Sequence, residues 1–267
     1  MKGLNLVDVK LNFGGLQVLD GISLELGSEG ICSLIGPNGA GKTSLVNIIT
    51  SAYSPSSGRV WWQGEDLAGT PPHHLARLGI ARTFQNLEIF WTMSVFENVM
   101  SAAQSAAPPR LLPSMFKLPS VISAERRFRT KAEAALQRVG LASYAHRDAS
   151  ELPYGHLKLL EIARALALQP ELLLLDEPAA GCNPNETEAI GAIIRGLADD
   201  GIAVLLIEHD MKLVMSISDR VLVLDRGRLI ADGSPEQVRR NADVIKAYLG
   251  PDLSSASMSH SMSGVPV

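Results

Sequence analysis

The stretch Gly36-Pro37-Asn38-Gly39-Ala40-Gly41-Lys42-Thr43-Ser44 sets three glycines, a lysine and two hydroxyls directly after the apolar run Ile31 to Ile35. Backbone N–H groups can turn inward along such a loop without side-chain clash. Lys42 can reach the β- and γ-phosphates of a nucleoside triphosphate, and the Thr43 hydroxyl is placed to ligate Mg²⁺. A helix over Ser44 to Thr50, beginning near Gly41, would add its positive dipole end. Chance produces this pattern in roughly 1% of chains of this length, and the flanking strand and helix make chance a weaker explanation still.

Two more clusters carry chemistry. Leu172 to Leu175 leads into Asp176-Glu177-Pro178, two carboxylates at the end of a buried strand, the edge where open α/β sheets hold ligands. Asp176 suits Mg²⁺ held through water, and Glu177 can reach an attacking water as general base. A core strand ending in solvated acids is the plainer reading, and the phosphate loop weakens it. Ile202 to Ile207 ends in Glu208-His209-Asp210, where an imidazole could bond the γ-phosphate and orient the water of Glu177. Gln85, after Ala81-Arg82-Thr83-Phe84, is an amide that could sense Mg²⁺ and the γ-phosphate; alone it reads as a surface residue.

Positioning these groups requires an α/β fold. Leu4, Leu6 and Val9 alternate with Asn5, Asp8 and Lys10; Val18-Leu19 and Ile22 to Leu26 follow a turn at Gly14-Gly15. This pattern predicts a small antiparallel sheet, to which Val60 to Gln63 adds a strand. The runs Leu172–Leu175, Ile202–Ile207 and Val221–Leu224, with a helix over Glu186 to Ala198, predict a parallel sheet covered by helices. From Asn86 to Leu152 the character changes to Pro108-Pro109, Pro113 and Pro119, followed by a helical period over Ala124 to Val139. There Phe128, Ala132, Ala135 and Val139 share one face, while Arg126, Arg127, Arg129 and Lys131 read as a solvated surface. Ser254 to Ser263 alternates Ser with Met, His and Ala, and residues 253–267 are expected to be disordered.

The chain has 267 residues, a net charge of −4 and 46% hydrophobic residues, which excludes a mainly disordered protein and gives no basic footprint for nucleic acid. Its two cysteines, Cys32 and Cys182, make a disulfide framework improbable and fit a reducing compartment. No run is long and apolar enough to span a bilayer, and the start lacks the shape of a secretory signal. A soluble chain is expected, so any work at a membrane needs another subunit to supply the span.

In this order the residues resemble the ATP-binding cassette ATPases over about residues 3 to 250. The markers are Phe13, the phosphate loop, Gln85, Leu152-Pro153-Tyr154-Gly155-His156 leading into Leu157 to Leu166, then Asp176-Glu177 and His209. The strings Asp176 to Thr187, Leu206 to Asp219 and Val244 to Leu249 look more narrowly like the LivG-type subunits of branched-chain amino acid importers. The resemblance implies a single nucleotide-binding domain over 1–252. It comprises a RecA-like P-loop core with an N-terminal antiparallel β subdomain (about 1–85 and 157–252) and an inserted helical subdomain (about 86–156). It implies that Phe13 stacks on adenine and that residues 36–44 and Gln85 hold ATP. Thr43, Gln85 and Asp176 would serve Mg²⁺, and Glu177 and His209 catalysis.

The resemblance further implies a head-to-tail ATPase dimer in which residues 152–156 face the nucleotide of the partner. Gly155 stands at the start of an amphipathic helix, whose dipole would serve a γ-phosphate brought there. Implied partners are a second cassette ATPase (a paralogue or a second copy of this chain) and transmembrane permease subunits. An extracytoplasmic solute-binding protein acts indirectly, and the place is the cytoplasmic face of the inner membrane. Leu87, Phe90, Trp91 and Phe96 are candidates for contacting the permease and suit the core of the insert equally well. Pro153 and His156 depart from the family signature, which carries Ser or Ala and Gln there. Pro153 lacks both N–H and hydroxyl, which implies a weaker half-site and asymmetric turnover. A regulatory subunit with weak turnover and a cassette ATPase outside transport are the alternatives.

Overall fold

The apolar runs form strands because each is flanked by turn residues and too short for a helix that could bury itself. The computed structural model describes residues 3–105 and 119–249; the expected disorder of 253–267 and the Pro108-Pro109 and Pro113 stretch lie outside the described residues. The described residues form two sheets. One is antiparallel, ordered β2-β1-β4-β5, from β1 (Leu4–Phe13), β2 (Leu16–Leu26), β4 (Ser57–Trp62) and β5 (Glu65–Asp66). The other is six-stranded, ordered β10-β9-β3-β8-β7-β6. Its members are β3 (Ile31–Ile35), β6 (Ile80–Arg82), β7 (Leu172–Asp176), β8 (Ala203–Ile207), β9 (Arg220–Asp225) and β10 (Arg228–Gly233). All pairs in it are parallel except β9 with β10.

Among the described residues there are eight α-helices: α1 (Lys42–Ile49), α2 (Val95–Ser105), α3 (Pro119–Arg138), α4 (Tyr154–Leu166), α5 (Pro184–Asp199), α6 (Met211–Ile217), α7 (Pro235–Arg239) and α8 (Ala242–Leu249). The strand period of two sorts the core into layers. Leu172 and Leu174 of β7 pack with Leu205, with Leu45 and Ile49 of α1, and with Leu4, Leu19 and Trp62 of the antiparallel sheet. Leu173 and Leu175 face the other way, with Val204 and Leu206, toward Val99 of α2, Leu136 of α3, Leu160 of α4 and Ile194 of α5. Ala132, Ala135 and Val139 are buried as their helical face predicts, and Arg126, Arg127 and Arg129 are exposed.

In β1 the buried residues run Leu4, Leu6, Val9, Leu11, a break in strict alternation. A register shift between Leu6 and Val9 against β2, with Asp8 at φ 46°, supplies the extra residue. This β-bulge returns Val9 to the core face.

Asp219 fastens the start of β3. Its Oδ2 accepts from the Ile31 N–H at 2.8 Å, and Arg195 of α5 donates to both oxygens at 2.9 Å. Partial burial raises its pKa, but the Ile31 amide and Arg195 outweigh that and hold the carboxyl below the usual carboxylate range. With a lowered folded pKa, the stabilisation is complete above the unfolded value and is lost as pH falls through the folded one. Asp219→Ala is therefore expected to cost on the order of 1–3 kcal/mol at pH 7, since it strands a strand amide. Thermal unfolding of the variant should also lose part of the parent's decline below about pH 4. An unchanged Tm at pH 7 would refute the role.

Candidate functional site

Strand order builds the site. β3 is flanked by β8 and β9, and β7 by β6 and β8, with Asp176 level with Ile207 across the β7–β8 pair. The loop after β3 and the residues that follow β7 and β8 therefore meet at one sheet edge, the carboxyl end, where helices cannot cover the crevice.

The phosphate loop is fixed by its glycines. Gly36 has φ 152°, and a Cβ there would lie 2.0 Å from the Leu224 carbonyl oxygen of β9. Gly41, at φ 104°, caps α1 and lies against Leu19 and Val18. At Gly39 a Cβ would meet nothing within 4 Å, so there the backbone faces open space. Lys42 Nζ folds back to donate to the Gly36 and Pro37 carbonyls at 2.6 and 3.1 Å. Burial lowers its pKa, opposed by the negative charges of Glu177 and Asp176.

Glu177 sits at φ 50°, a left-handed conformation that a non-glycine residue adopts only when its surroundings impose it. The imposing contact is its N–H, which donates to Ile207 O at 2.9 Å and ties it to the end of β8. Its carboxylate meets two of the other candidate residues. Gln85 Nε2 donates to Oε2 at 3.0 Å, and His209 Nδ1 lies 3.5 Å from Oε1. Under His209, the buried Glu208 accepts from the Ala179 and His209 amides at 3.0 and 3.1 Å. Burial raises the Glu208 pKa, and the amides of Ala179, His209 and Asp210 draw it back. Glu208 thus splints the chain after β7 to the chain after β8.

A cleft of about 420 Å³ is lined by Asn38, Gly39, Ala40, Gly41, Lys42, Thr43, Ser44, Gln85, Asp176 and Glu177, with Val18 and Ile207. Its volume suits a cofactor-sized ligand. The cation and helix N-terminus suit polyphosphate, and the hydroxyl, carboxylate and amide oxygens of Thr43, Asp176 and Gln85 suit a hard cation such as Mg²⁺.

Other expected residues stand apart. Phe13 ends β1, half exposed, its ring edge-on to Tyr53 at 5.5 Å. Leu152 to His156 form the entry to α4, with Pro153 as N-cap and no side-chain cap. A Cβ on Gly181 would lie 3.0 Å from the Tyr154 ring, and the His156 ring lies 4.9 Å from Tyr144 of the same chain. The four candidate contacts of the insert divide: Leu87 and Phe96 pack on the core, whereas Phe90 and Trp91 are 46% and 47% exposed. Three residues near the site carry no functional signal in the sequence: Val18, which lines the cleft, reads as strand, Tyr53 belongs to no motif, and Arg82 reads as a flank of Gln85.

A glycine-bounded phosphate loop at the carboxyl edge of a parallel sheet, facing a carboxylate pair and a histidine, defines a P-loop nucleotide-hydrolysing protein. Residues 19–180 match the family described as ABC transporter, and residues 228–250 match that described as Branched-chain amino acid ATP-binding cassette transporter. The high-affinity branched-chain amino acid transport ATP-binding proteins BraF of Pseudomonas aeruginosa and LivG of Escherichia coli K12 are each 45% identical over 248 residues, 92% of this chain and 97% of theirs. The crystal structure of the ADP conformation of MJ1267, an ATP-binding cassette of an ABC transporter, superposes with a TM-score of 0.82. The two are 32% identical, over 94% of this chain and 99% of that one. The chain belongs to the ABC transporter family of ATP-binding cassettes, and its activity is ATP hydrolysis coupled to transport. Among the described residues no helix is long and apolar enough to cross a membrane.

Proposed function

We propose that this chain is the ATPase subunit of an importer for branched-chain amino acids or closely related small solutes. It would work at the cytoplasmic face of the inner membrane against permease subunits, with a solute-binding protein acting on the far side. The observation that carries this reading is the near full-length similarity to BraF and LivG, which extends through β10 to α8 into the segment described for branched-chain transporters.

In the proposed cycle residues 36–44 bind the triphosphate, Lys42 leaves the Gly36 and Pro37 carbonyls for the phosphates, and Phe13 stacks on the base. Thr43, Asp176 and Gln85 would hold Mg²⁺, which would supply charge neutralisation on the phosphates. Glu177 takes the proton of the attacking water, and His209 keeps that water and the γ-phosphate in register. The signature segment 152–156 serves the nucleotide of a second cassette, a paralogue or another copy of this chain, in a head-to-tail dimer. About residues 1–85 and 157–252 would form the nucleotide-binding body, and about 86–156 the helical subdomain that meets the permease through Phe90 and Trp91.

Pro153 and His156, whose ring lies against Tyr144, favour a second reading, in which this signature serves its partner weakly and turnover is asymmetric. One experiment tests both. Solute uptake and ATP hydrolysis are measured in vesicles holding this chain, its permease subunits and its second ATPase. Lys42→Ala here is expected to abolish uptake of leucine, isoleucine and valine. Uptake that persists, or ATP binding without turnover in the parent, refutes the motor. Glu177→Gln here and its counterpart in the second ATPase should differ in their losses if turnover is asymmetric, and equal losses refute that.

A further inference from the structure

Arg82 is used by no step above, yet it occupies the wall between two cavities. Asp176 lines the nucleotide cleft, and Arg82 lines a second cavity of about 360 Å³ shared with Phe84, Glu88, Phe90, Glu161 and Arg164. Between them Arg82 Nη2 donates to Asp176 Oδ2 at 2.9 Å, with side chains only 11% and 7% exposed. Its Nη1 donates to Asn47 Oδ1 at 2.7 Å and Thr50 Oγ1 at 3.2 Å. The guanidinium lies 5.2 Å from the centre of the Phe84 ring, and its buried Nε has no partner.

The helix period gives these contacts a direction. Asn47 follows Thr43 by four residues and stands on the same face of α1. One planar guanidinium therefore holds both elements that carry metal-directed oxygens: β7 through Asp176, and α1 one turn beyond Thr43. Lysine, a point charge, could not span the two with fixed angles. The Thr83 hydroxyl completes the clamp by accepting from the Asp176 N–H at 3.2 Å.

We propose that Arg82 is a positioning residue for the metal half of the nucleotide site, fixing the Asp176 carboxylate relative to the Thr43 helix. The inference rests on the proposed metal role of Asp176. Partners in the outer shell of metal-directed carboxylates typically govern affinity by ten- to a hundredfold.

The test compares binding of a fluorescent ATP analogue to the full chain with Mg²⁺ and with EDTA. Bound Mn²⁺ is read independently by electron paramagnetic resonance. Arg82→Gln is expected to reduce the Mg²⁺-dependent gain in affinity tenfold or more and to broaden or abolish the bound Mn²⁺ signal. Affinity in EDTA should stay within about twofold. Arg82→Lys should recover only part of the gain, and Asn47→Ala should lower it in the same direction. Both keep the test open if Arg82→Gln fails to fold. Asp176→Asn separates the two claims. If it abolishes the gain while the Arg82 and Asn47 variants keep it, the positioning role is overturned. If Asp176→Asn itself leaves the gain intact, the metal role of Asp176 falls, and the inference with it. Equal losses with Mg²⁺ and with EDTA would make Arg82 a purely structural residue and overturn the proposal.

Discussion

Glu177→Gln is expected to lower ATP turnover of the assembled transporter by roughly 10²–10⁴-fold while MgATP affinity stays within a few-fold of the parent. The amide has the same shape and can keep the contact with Gln85 at 3.0 Å, but it cannot accept the water proton. That loss corresponds to about 3–5 kcal/mol in the barrier. The conformation at φ 50° costs Gln about what it costs Glu, so the fold should be retained. Single-turnover kinetics with nucleotide retention on a desalting column checks both halves. ATP should remain bound uncleaved, and a dimer held by it should persist in size-exclusion chromatography. Turnover within threefold of the parent would remove Glu177 from the role of base.

The other large effect is expected from two neighbouring glycines that fail for different reasons. Gly36→Ala puts a methyl group 2.0 Å from the Leu224 oxygen, which belongs to the backbone of β9, a strand inside the sheet. Neither side can yield without breaking the β3–β9 pair. Destabilisation above about 4 kcal/mol is expected, with loss of soluble protein or a Tm lowered by ten degrees or more. Gly39→Ala meets no atom and carries only the backbone penalty of φ 80°, about 1 kcal/mol, so the protein should stay folded. Gly39 lines the cleft, however, so an added methyl group is expected to intrude on bound nucleotide, and ATP affinity should fall at least tenfold. Thermal unfolding and nucleotide titration on the pair decide it. Equal stability of the two variants would sink the argument.

How much of this was readable beforehand depended on distance along the chain. The phosphate loop was legible because its parts are adjacent, and the strands β7, β8 and β9 because double-sided burial writes an unbroken apolar run. That His209 could serve the water of Glu177 was legible from their places at two strand ends, whereas the contact of Gln85 with Glu177 needed coordinates. Arg82 was not legible: its partner Asp176 is 94 residues away, and an arginine beside Gln85 has no local signature. Phe90 and Trp91 could not be told from Leu87 and Phe96, since an apolar side chain reads the same whether it fills a core or faces outward. The bulge at Asp8 left one trace, the step from Leu6 to Val9 where alternation demands residue 8.

The pairing of β3 also sets a timetable for synthesis. The strand that carries the phosphate loop emerges early, yet Ile31 pairs with Val204 and Cys32 with Arg220. At about 5–20 residues per second the ribosome needs roughly 10–40 seconds to deliver those neighbours. Throughout that interval the loop has no sheet to hold it open. A nascent chain arrested before β9 should bind no ATP, and nucleotide can stabilise this protein only as a late event, when nearly all of it has left the ribosome.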